Sequence, residues 1–307
     1  MLNRLLQAFN RGGGNAPGAA TIRDTANLEI LLPWALAKAG EEIRFPVAYL
    51  EFLRTCLERK RFPITTVKKN RSGHDQDSAR RFASLLGALS TLPAIEFAVA
   101  ARLARVADTF HSNPGNFQSN SWFGDIRAHF EMTSSFGHKG RILTTIIRFM
   151  RCSRCLELGT AYGMSALFIL EALAAQGLDT QLTTVEGSET LYEIASRLLD
   201  SRFQGRVSCE YGWTSHVLPR LAGNLIPVNF MFHDAGHSRQ DYVGDFQAAL
   251  PLLAPGAVVL IDDINWNDPR FASTNPQCRE GWLAVASHAR VMWAVEIGEE
   301  MGLVLLN

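Results

Sequence analysis

Hydrophobic positions along the chain follow two periods, and the change falls near its middle. Between residues 24 and 110, apolar positions recur at helical spacing. They predict helices over residues 27–39, 46–60, 78–89 and 94–109. From residue 155 onward, short apolar runs alternate with helical segments. Strands that alternate with helices indicate a mostly parallel sheet covered on both faces.

The second half of the chain therefore predicts a doubly wound, mostly parallel α/β sheet of seven strands. The predicted strands cover residues 155–158, 180–185, 206–211, 228–232, 257–261, 291–297 and 302–306. The predicted helices cover residues 140–150, 164–175, 190–199, 215–221, 240–253 and 278–288. The last two strands would form an antiparallel hairpin at one edge.

Composition shifts divide the chain into three regions. Residues 1–23 contain glycine and proline clusters and predict a flexible tail. Residues 24–125 predict a helical region that would select a substrate or form a homo-oligomer. Its end is a stretch rich in Asn, Ser and Gly, residues 111–125, and residues 68–77 predict an internal loop. Residues 126–307 would form the α/β domain.

Overall composition excludes several classes of protein. A hydrophobic content of 47% and a charged content of 20% fit a globular chain. The formal net charge is zero, so the chain lacks the positive charge that indicates binding to nucleic acid or to an anionic membrane. No apolar run reaches the length of about 18 residues that a membrane helix needs. Five cysteines and no secretory signal predict reduced thiols and a cytoplasmic location.

A glycine turn at the end of the first predicted strand of the α/β half indicates a ligand site. Gly159 follows the apolar run, and Gly163 precedes an apolar helix. Glycine allows a sharp turn and a close approach of backbone to ligand. The free N–H groups at the helix start favour a polar or anionic group. The turn lacks the third glycine of the dinucleotide fingerprint.

Glycine or acidic residues recur at successive strand ends, which are Gly159, Glu186, Gly212, Asp234 and the pair Asp262-Asp263. In a parallel sheet these ends share one edge, which is where open α/β sheets bind ligands. Glu186 follows Gly159 by 27 residues. A carboxylate there would accept hydrogen bonds from both ribose hydroxyls of a nucleoside, although a surface acid that opens a turn is the simpler alternative.

Three aspartates at two of these strand ends predict a metal site. Asp234, Asp262 and Asp263 are oxygen ligands, which suit a hard divalent ion such as Mg²⁺. An acidic edge with solvated carboxylates is the alternative. His237 follows Asp234 by three residues and could accept a proton from a substrate hydroxyl, unless it only bonds to the backbone of its loop.

Residues 139–264 resemble the catechol O-methyltransferase type of class I S-adenosylmethionine (SAM) methyltransferase, including its bacterial small-molecule relatives. The likeness lies in Lys139-Gly140, in Leu156-Glu157-Leu158-Gly159, and in the acids at the later strand ends. It implies that the methionine part of SAM, the ribose and the adenine contact three short segments and one strand end. These are Glu157, Gly159, Thr160, Ala161, Gly163 and Ser165; Glu186 and Gly187; Gly212, Trp213 and Thr214; and Asp234.

The resemblance further implies that Asp234, Asp262 and Asp263 bind the metal. The family often has Asp-Asn where this chain has Asp262-Asp263, and His237 falls where the catechol enzymes carry a catalytic lysine. The expected function is transfer of a methyl group from SAM to an oxygen of a small molecule, with Mg²⁺ and with His237 as base. A metal-independent O- or N-methyltransferase and a binding protein without catalysis are the alternatives.

Overall fold

The computed structural model describes residues 52, 55–57, 61–69, 76–112, 130, 137–177, 179–224, 226–266 and 277–307. The predicted tail at residues 1–23, the predicted helix at residues 27–39, most of that at residues 46–60 and most of the loop at residues 111–125 lie outside this part. No helix within it is long and apolar enough to span a membrane.

The described strands number eight. They are β1 (Ile64–Lys69), β2 (Arg154–Leu158), β3 (Gln181–Glu186), β4 (Val207–Tyr211), β5 (Val228–His233), β6 (Leu253–Ile261), β7 (Val291–Ile297) and β8 (Met301–Leu306). The α-helices among the described residues are α1 (Gln76–Thr91), α2 (Phe97–Ser112), α3 (His138–Met150), α4 (Met164–Ala174), α5 (Glu189–Phe203), α6 (Thr214–Leu221), α7 (Arg239–Ala249) and α8 (Cys278–Ser287).

These strands form one sheet in the order β1-β7-β8-β6-β5-β2-β3-β4. Strands β2 to β6 run parallel to one another, and β8, β7 and β1 add antiparallel pairs at one edge. From β2 the chain first builds outward through β3 and β4, and it then returns to add β5 on the other side of β2. The strand order therefore reverses between β2 and β5, which is the expected position for a ligand.

All seven predicted strands are present, and the doubly wound α/β fold is confirmed. An eighth strand, β1, comes from the region that was predicted to be helical, and it includes Lys68 and Lys69 of the predicted loop. It pairs with β7, with Ile64 opposite Ile297. The run Ile-Thr-Thr-Val has high β propensity, but six residues at an edge give too short a pattern to identify from periodicity alone.

The end of α7 differs from its prediction because of Pro251. The helix was expected to reach residue 253, but it ends at Ala249, and Leu250–Leu252 form a 3-10 turn. Proline has no N–H group to continue the helical hydrogen bonds. Leu253 instead begins β6, which is therefore longer than predicted.

The sheet is buried on both faces. One apolar core lies under α1 to α5 and includes side chains from both halves of the chain; the other lies under α6, α7 and α8. Arg141 in α3 is fully buried and donates hydrogen bonds to the carbonyl oxygens of Thr55, Leu92 and Pro93. These bonds attach the helical region directly to the helix that precedes β2.

Candidate active site

The strand ends predicted to meet lie side by side at the point where the strand order reverses. The N–H of Gly159 donates to the carbonyl oxygen of Val185 at 2.9 Å, and that of Asp234 donates to Leu158 at 2.8 Å. The N–H of Asp262 continues the row by donating to His233 at 3.0 Å. The residues that follow β2, β3, β5 and β6 therefore form one continuous edge.

The two glycines of the β2–α4 turn are required for different reasons. Gly159 has φ +89°, and a Cβ atom there would clash with the carbonyl oxygen of Asp234. Gly163 has φ +82°, but a Cβ atom there would make only ordinary contacts with Ala195 and Leu199. Its left-handed backbone is sufficient to account for glycine at this position.

Glu186 connects the turn after β2 to the turn after β3. One carboxylate oxygen accepts the N–H of Ala161 at 2.8 Å, and the other accepts the N–H of Ser188 at 2.8 Å. Burial raises the pKa of Glu186, while these backbone donors oppose the rise. Each oxygen retains acceptor capacity for a ligand hydroxyl. The carboxylate is thus held in place before any ligand arrives.

The residues predicted to contact adenine lie beside this glutamate. The N–H of Gly212 donates to the carbonyl oxygen of Glu186 at 2.9 Å. A Cβ atom on Gly187 would come within 3.2 Å of the Trp213 ring, which is 69% exposed. An exposed indole next to the proposed ribose position is suited to stacking on a base.

Glu157 is buried beneath the β2–α4 turn. Its Oε2 accepts the hydroxyl of Thr184 at 2.5 Å, and that hydroxyl lies 2.5 Å from the hydroxyl of Thr160. Burial raises the pKa of Glu157 to about 8, and the hydroxyls of Ser165 and Thr184 oppose the rise. The side chain therefore supports the turn from within the core and is largely protonated at neutral pH.

Replacing Glu157 by glutamine should change how stability depends on pH. When folding raises the pKa of a carboxyl group, the unfolded state releases its proton at a lower pH than the folded state does. The free energy of unfolding therefore falls as the pH rises from the unfolded-state pKa to the folded-state pKa. We expect the wild-type protein to lose on the order of 3 kcal/mol relative to Glu157→Gln between pH 5 and pH 8.5. Urea unfolding without cofactor measures this difference, and parallel pH profiles would refute it.

Asp262, one of the predicted metal ligands, is already paired with a lysine. Its side chain is fully buried, and its Oδ2 lies 2.5 Å from Nζ of Lys139. Its Oδ1 accepts the N–H of Asp263 at 2.9 Å. Lys139 also lies 3.6 Å from Oδ1 of Asp263. Burial lowers the pKa of Lys139, but Asp262, Asp234 and Asp263 outweigh burial and raise it.

His237 lies between the other two aspartates. Its Nε2 is 3.1 Å from Oδ2 of Asp263 and 3.6 Å from Oδ1 of Asp234. Burial lowers the pKa of His237, but the two carboxylates outweigh burial and raise it to about 10. The ring of Trp266 lies 5.6 Å away.

Asp263 has a strained backbone that neighbouring groups hold. Its φ is +55°, which is unusual for a residue with a side chain. The hydroxyl of Tyr242 donates to the carbonyl oxygens of Asp262 at 2.8 Å and Asp263 at 3.2 Å. Strain of this kind persists only where the surroundings fix it, and it occurs often at functional sites.

The donor atoms of Asp234, His237 and Asp263 fit a divalent cation. They lie within 4.8 Å of one another. Nε2 of His237 is buried and has no aligned hydrogen bond to any described residue, although it is close to both carboxylates. Asp262 is not part of this set because it contacts Lys139. The structure thus brings all three predicted aspartates together, but it offers a ligand group that includes the histidine.

Lys139 and Tyr242 were not predicted as site residues. Lys139 was noted only as part of the family likeness, and its partner Asp262 is 123 residues away. A buried acid pair implies a nearby positive charge, but the sequence does not say which of 30 lysines and arginines supplies it. Tyr242 lies on the buried side of a helix, where an aromatic residue normally indicates only the core.

Comparisons with known proteins agree with this fold. The family model described as "Methyltransferase domain" matches residues 156–264. Two proteins named catechol O-methyltransferase are each 28% identical: that of Niastella koreensis over 129 residues, 41% of this chain and 56% of the relative, and that of Mycobacterium tuberculosis over 127 residues, 41% and 54%. The matched part thus spans about half the length of these relatives.

Two solved structures share the fold. The SAH-bound methyltransferase PaMTH1 of Podospora anserina has a TM-score of 0.53 and 16% identity, covering 78% of this chain and 99% of that one. The O-methyltransferase TomG of Streptomyces achromogenes, in complex with SAM, has a TM-score of 0.51 and 21% identity, covering 76% and 100%. Residues 156–264 therefore match the model of a methyltransferase domain, and the chain shares the fold of these solved methyltransferases, as its sequence implied.

Proposed function

We propose that this protein transfers the methyl group of SAM to a hydroxyl oxygen of a small molecule. The observation that carries the proposal is the shared edge of the sheet. There Glu186, held by the N–H groups of Ala161 and Ser188, lies beside the β2–α4 turn, while Asp234 and Asp263 lie at neighbouring strand ends. A nucleoside-binding position and an acidic reaction centre are thus adjacent.

The residues would act on SAM and on the acceptor in distinct ways. The substrate oxygen attacks the sulfonium methyl carbon, the carbon–oxygen bond forms, the carbon–sulfur bond breaks, and S-adenosylhomocysteine (SAH) leaves. Glu186 and the turn from Gly159 to Gly163 would fix the cofactor. Correct orientation of two reactants can lower the activation free energy of such a reaction by about 7–11 kcal/mol. The cofactor supplies the reactive methyl group, and the protein supplies position and charge.

A divalent cation would supply positive charge to the oxygen that loses its proton. Asp234 and Asp263 are the carboxylates best placed to hold it, with Asp262 available only if it leaves Lys139. We propose that His237 accepts the proton of the substrate hydroxyl, as the sequence predicts. His237 can accept that proton only in its neutral form, and the two nearby carboxylates oppose this form by raising its pKa to about 10.

A metal-independent methyltransferase is the second candidate, and Lys139 favours it. The ammonium group contacts Asp262 and lies 3.6 Å from Asp263, so part of the charge that a cation would supply is already present. His237 lies 3.1 Å from Asp263 on the other side. With both groups positive, the three carboxylates would be largely neutralised without metal.

The remaining proposals concern residues 24–125, the cellular location of the enzyme and its partners. Residues 24–125 would select the acceptor or join two copies of the chain, and the division into tail, helical region and catalytic domain remains a prediction. Their described part shares a core with the domain that follows, so a variant that removes it would not test either role. We expect a cytoplasmic enzyme with no nucleic acid or membrane partner.

Calorimetry and a methyl-transfer assay test both candidates. SAH should bind the purified protein with a 1:1 stoichiometry. Catechol is the first acceptor to test, because both curated relatives carry its name. If a metal is required, activity should disappear after treatment with EDTA and return with Mg²⁺ or Mn²⁺. Activity that survives EDTA would select the metal-independent candidate. A protein that binds no SAH would refute both and favour a binding protein without catalysis.

A further inference from the structure

A buried chain of hydrogen bonds connects the start of α6 to the end of β5. The hydroxyl of Thr214, the first residue of α6, donates to Oδ1 of Asp245 at 2.6 Å. Oδ2 of the same carboxylate lies 3.0 Å from Nε2 of His233, the last residue of β5. Asp245 itself lies in α7 and is 6% exposed, and His233 is 1% exposed.

The two ends of this chain adjoin the two halves of the proposed site. Thr214 directly follows Trp213, whose ring packs over Gly187 beside Glu186. His233 directly precedes Asp234. One carboxylate therefore fixes the cofactor side and the reaction side relative to each other, although Asp245 itself is too deeply buried to contact either ligand.

The same face of α7 also reaches the third strand end of the site. Tyr242, three residues before Asp245, packs edge-on against the ring of His233, with centroids 5.1 Å apart and planes at 89°. Its hydroxyl bonds the carbonyl oxygens of Asp262 and Asp263. Residues three apart lie on one side of a helix, so α7 contacts all of these strand ends through a single face.

Burial of the Asp245 carboxylate costs free energy, which indicates that the positions of the groups bonded to it are important. A buried carboxylate is expensive unless donors satisfy it, and an apolar side chain could have filled the same space. Nδ1 of His233 is buried and has no hydrogen-bond partner among the described residues. Asp245 is therefore the polar group that orients this ring. Both oxygens of the Asp245 carboxylate have a partner, and a buried group bonded in this way fixes one arrangement of the elements that it joins.

We propose that Asp245 is a positioning residue that holds the adenine-side segment Trp213-Thr214 in place for SAM, through Thr214, and aligns it with Asp234, through His233. The proposal rests on the proposed function, since it assumes that SAM binds at this edge. It assigns to Thr214 a role different from the direct contact that the sequence resemblance implied, because its hydroxyl proton is directed to Asp245.

Removal of the Thr214 hydroxyl tests this role. Thr214→Val keeps the shape of the side chain and should weaken SAH binding about tenfold, the effect of losing one hydrogen bond to a charged acceptor. The Michaelis constant for SAM should rise more than kcat falls. Thr214→Ser keeps the hydroxyl and should restore the affinity. Equal SAH affinity in wild type and Thr214→Val would overturn the proposal.

A double-mutant cycle separates positioning from direct contact. If Thr214 acts through Asp245, Asp245→Ala combined with Thr214→Val should weaken SAH binding no more than Asp245→Ala alone. Additive losses would mean that Thr214 contacts the cofactor directly, and they would overturn the proposal. If Asp245→Ala does not fold, Asp245→Asn, which keeps the size of the side chain, takes its place in the cycle.

A second buried carboxylate provides the matched control. Glu296 accepts hydrogen bonds from Trp282 at 2.8 Å and Arg279 at 2.7 Å, and its strand β7 is separated from the cofactor-side strands β2 and β3 by β8, β6 and β5. Glu296→Gln should lower the melting temperature and leave SAH affinity unchanged. An equal loss of affinity in this variant would mean that lost stability explains the effect. A wild-type protein that binds no SAH would overturn the proposed function together with this inference.

Discussion

Replacing Asp234 by alanine should abolish methyl transfer, with a loss of at least about 10³-fold in kcat, which is the scale of removing one electrostatic group from a reaction centre. Asp234 follows β5 at the centre of the edge, and its carboxylate faces His237 at 3.6 Å. Its loss would remove a charge that orients the histidine and a ligand for any cation.

His237→Ala gives the informative comparison for this variant. A single general base contributes about 10²–10⁴-fold, so this enzyme should retain measurable turnover. Asp241→Asn is the matched control in the first turn of α7, since Asp241 accepts the hydroxyl of Ser238 at 2.6 Å and does not belong to the acidic group. The prediction fails if Asp234→Ala keeps more than a tenth of wild-type kcat at saturating SAM.

Replacing Glu186 by glutamine should weaken SAH binding by about 100-fold, which corresponds to two hydrogen bonds to a charged acceptor at roughly 1.5 kcal/mol each. Both carboxylate oxygens already accept backbone N–H groups from Ala161 and Ser188. The amide has only one acceptor oxygen, so it would also leave one of these turns without its bond.

The control for this variant is Glu189→Gln. Glu189 lies three residues later, in the first turn of α5, and is exposed. Isothermal titration with SAH should show the loss for Glu186→Gln and no change for Glu189→Gln. Unchanged affinity in the Glu186 variant would remove this residue from the cofactor site.

Much of the fold could be predicted from the sequence because the parallel half of the chain repeats one local pattern. Each apolar run between residues 155 and 261 ends at glycine or an acid, and each is followed by a segment with helical spacing. Strand β1 does not repeat this pattern, since its six residues pair with β7, more than 200 positions away. Nothing local distinguishes such an edge strand from a loop.

Placement of the site residues was predictable for the same reason, whereas their partners were not. Parallel strands end at one edge, so Glu186, Asp234 and Asp262 had to lie near Gly159. Which basic side chain contacts Asp262 depends on how α3 packs, so Lys139 could be identified as the partner only in the folded chain. The same holds for Asp245, which in sequence is one more acid on a helix.

The most direct test of the central claim is a crystal structure of the protein grown with SAH and MnCl₂. The account predicts both ribose hydroxyls within hydrogen-bonding distance of Glu186, the adenine against Trp213, and the sulfur on the side of Asp234; anomalous scattering would report any manganese beside Asp234 and Asp263. SAH bound elsewhere, or with its ribose away from Glu186, would contradict the account.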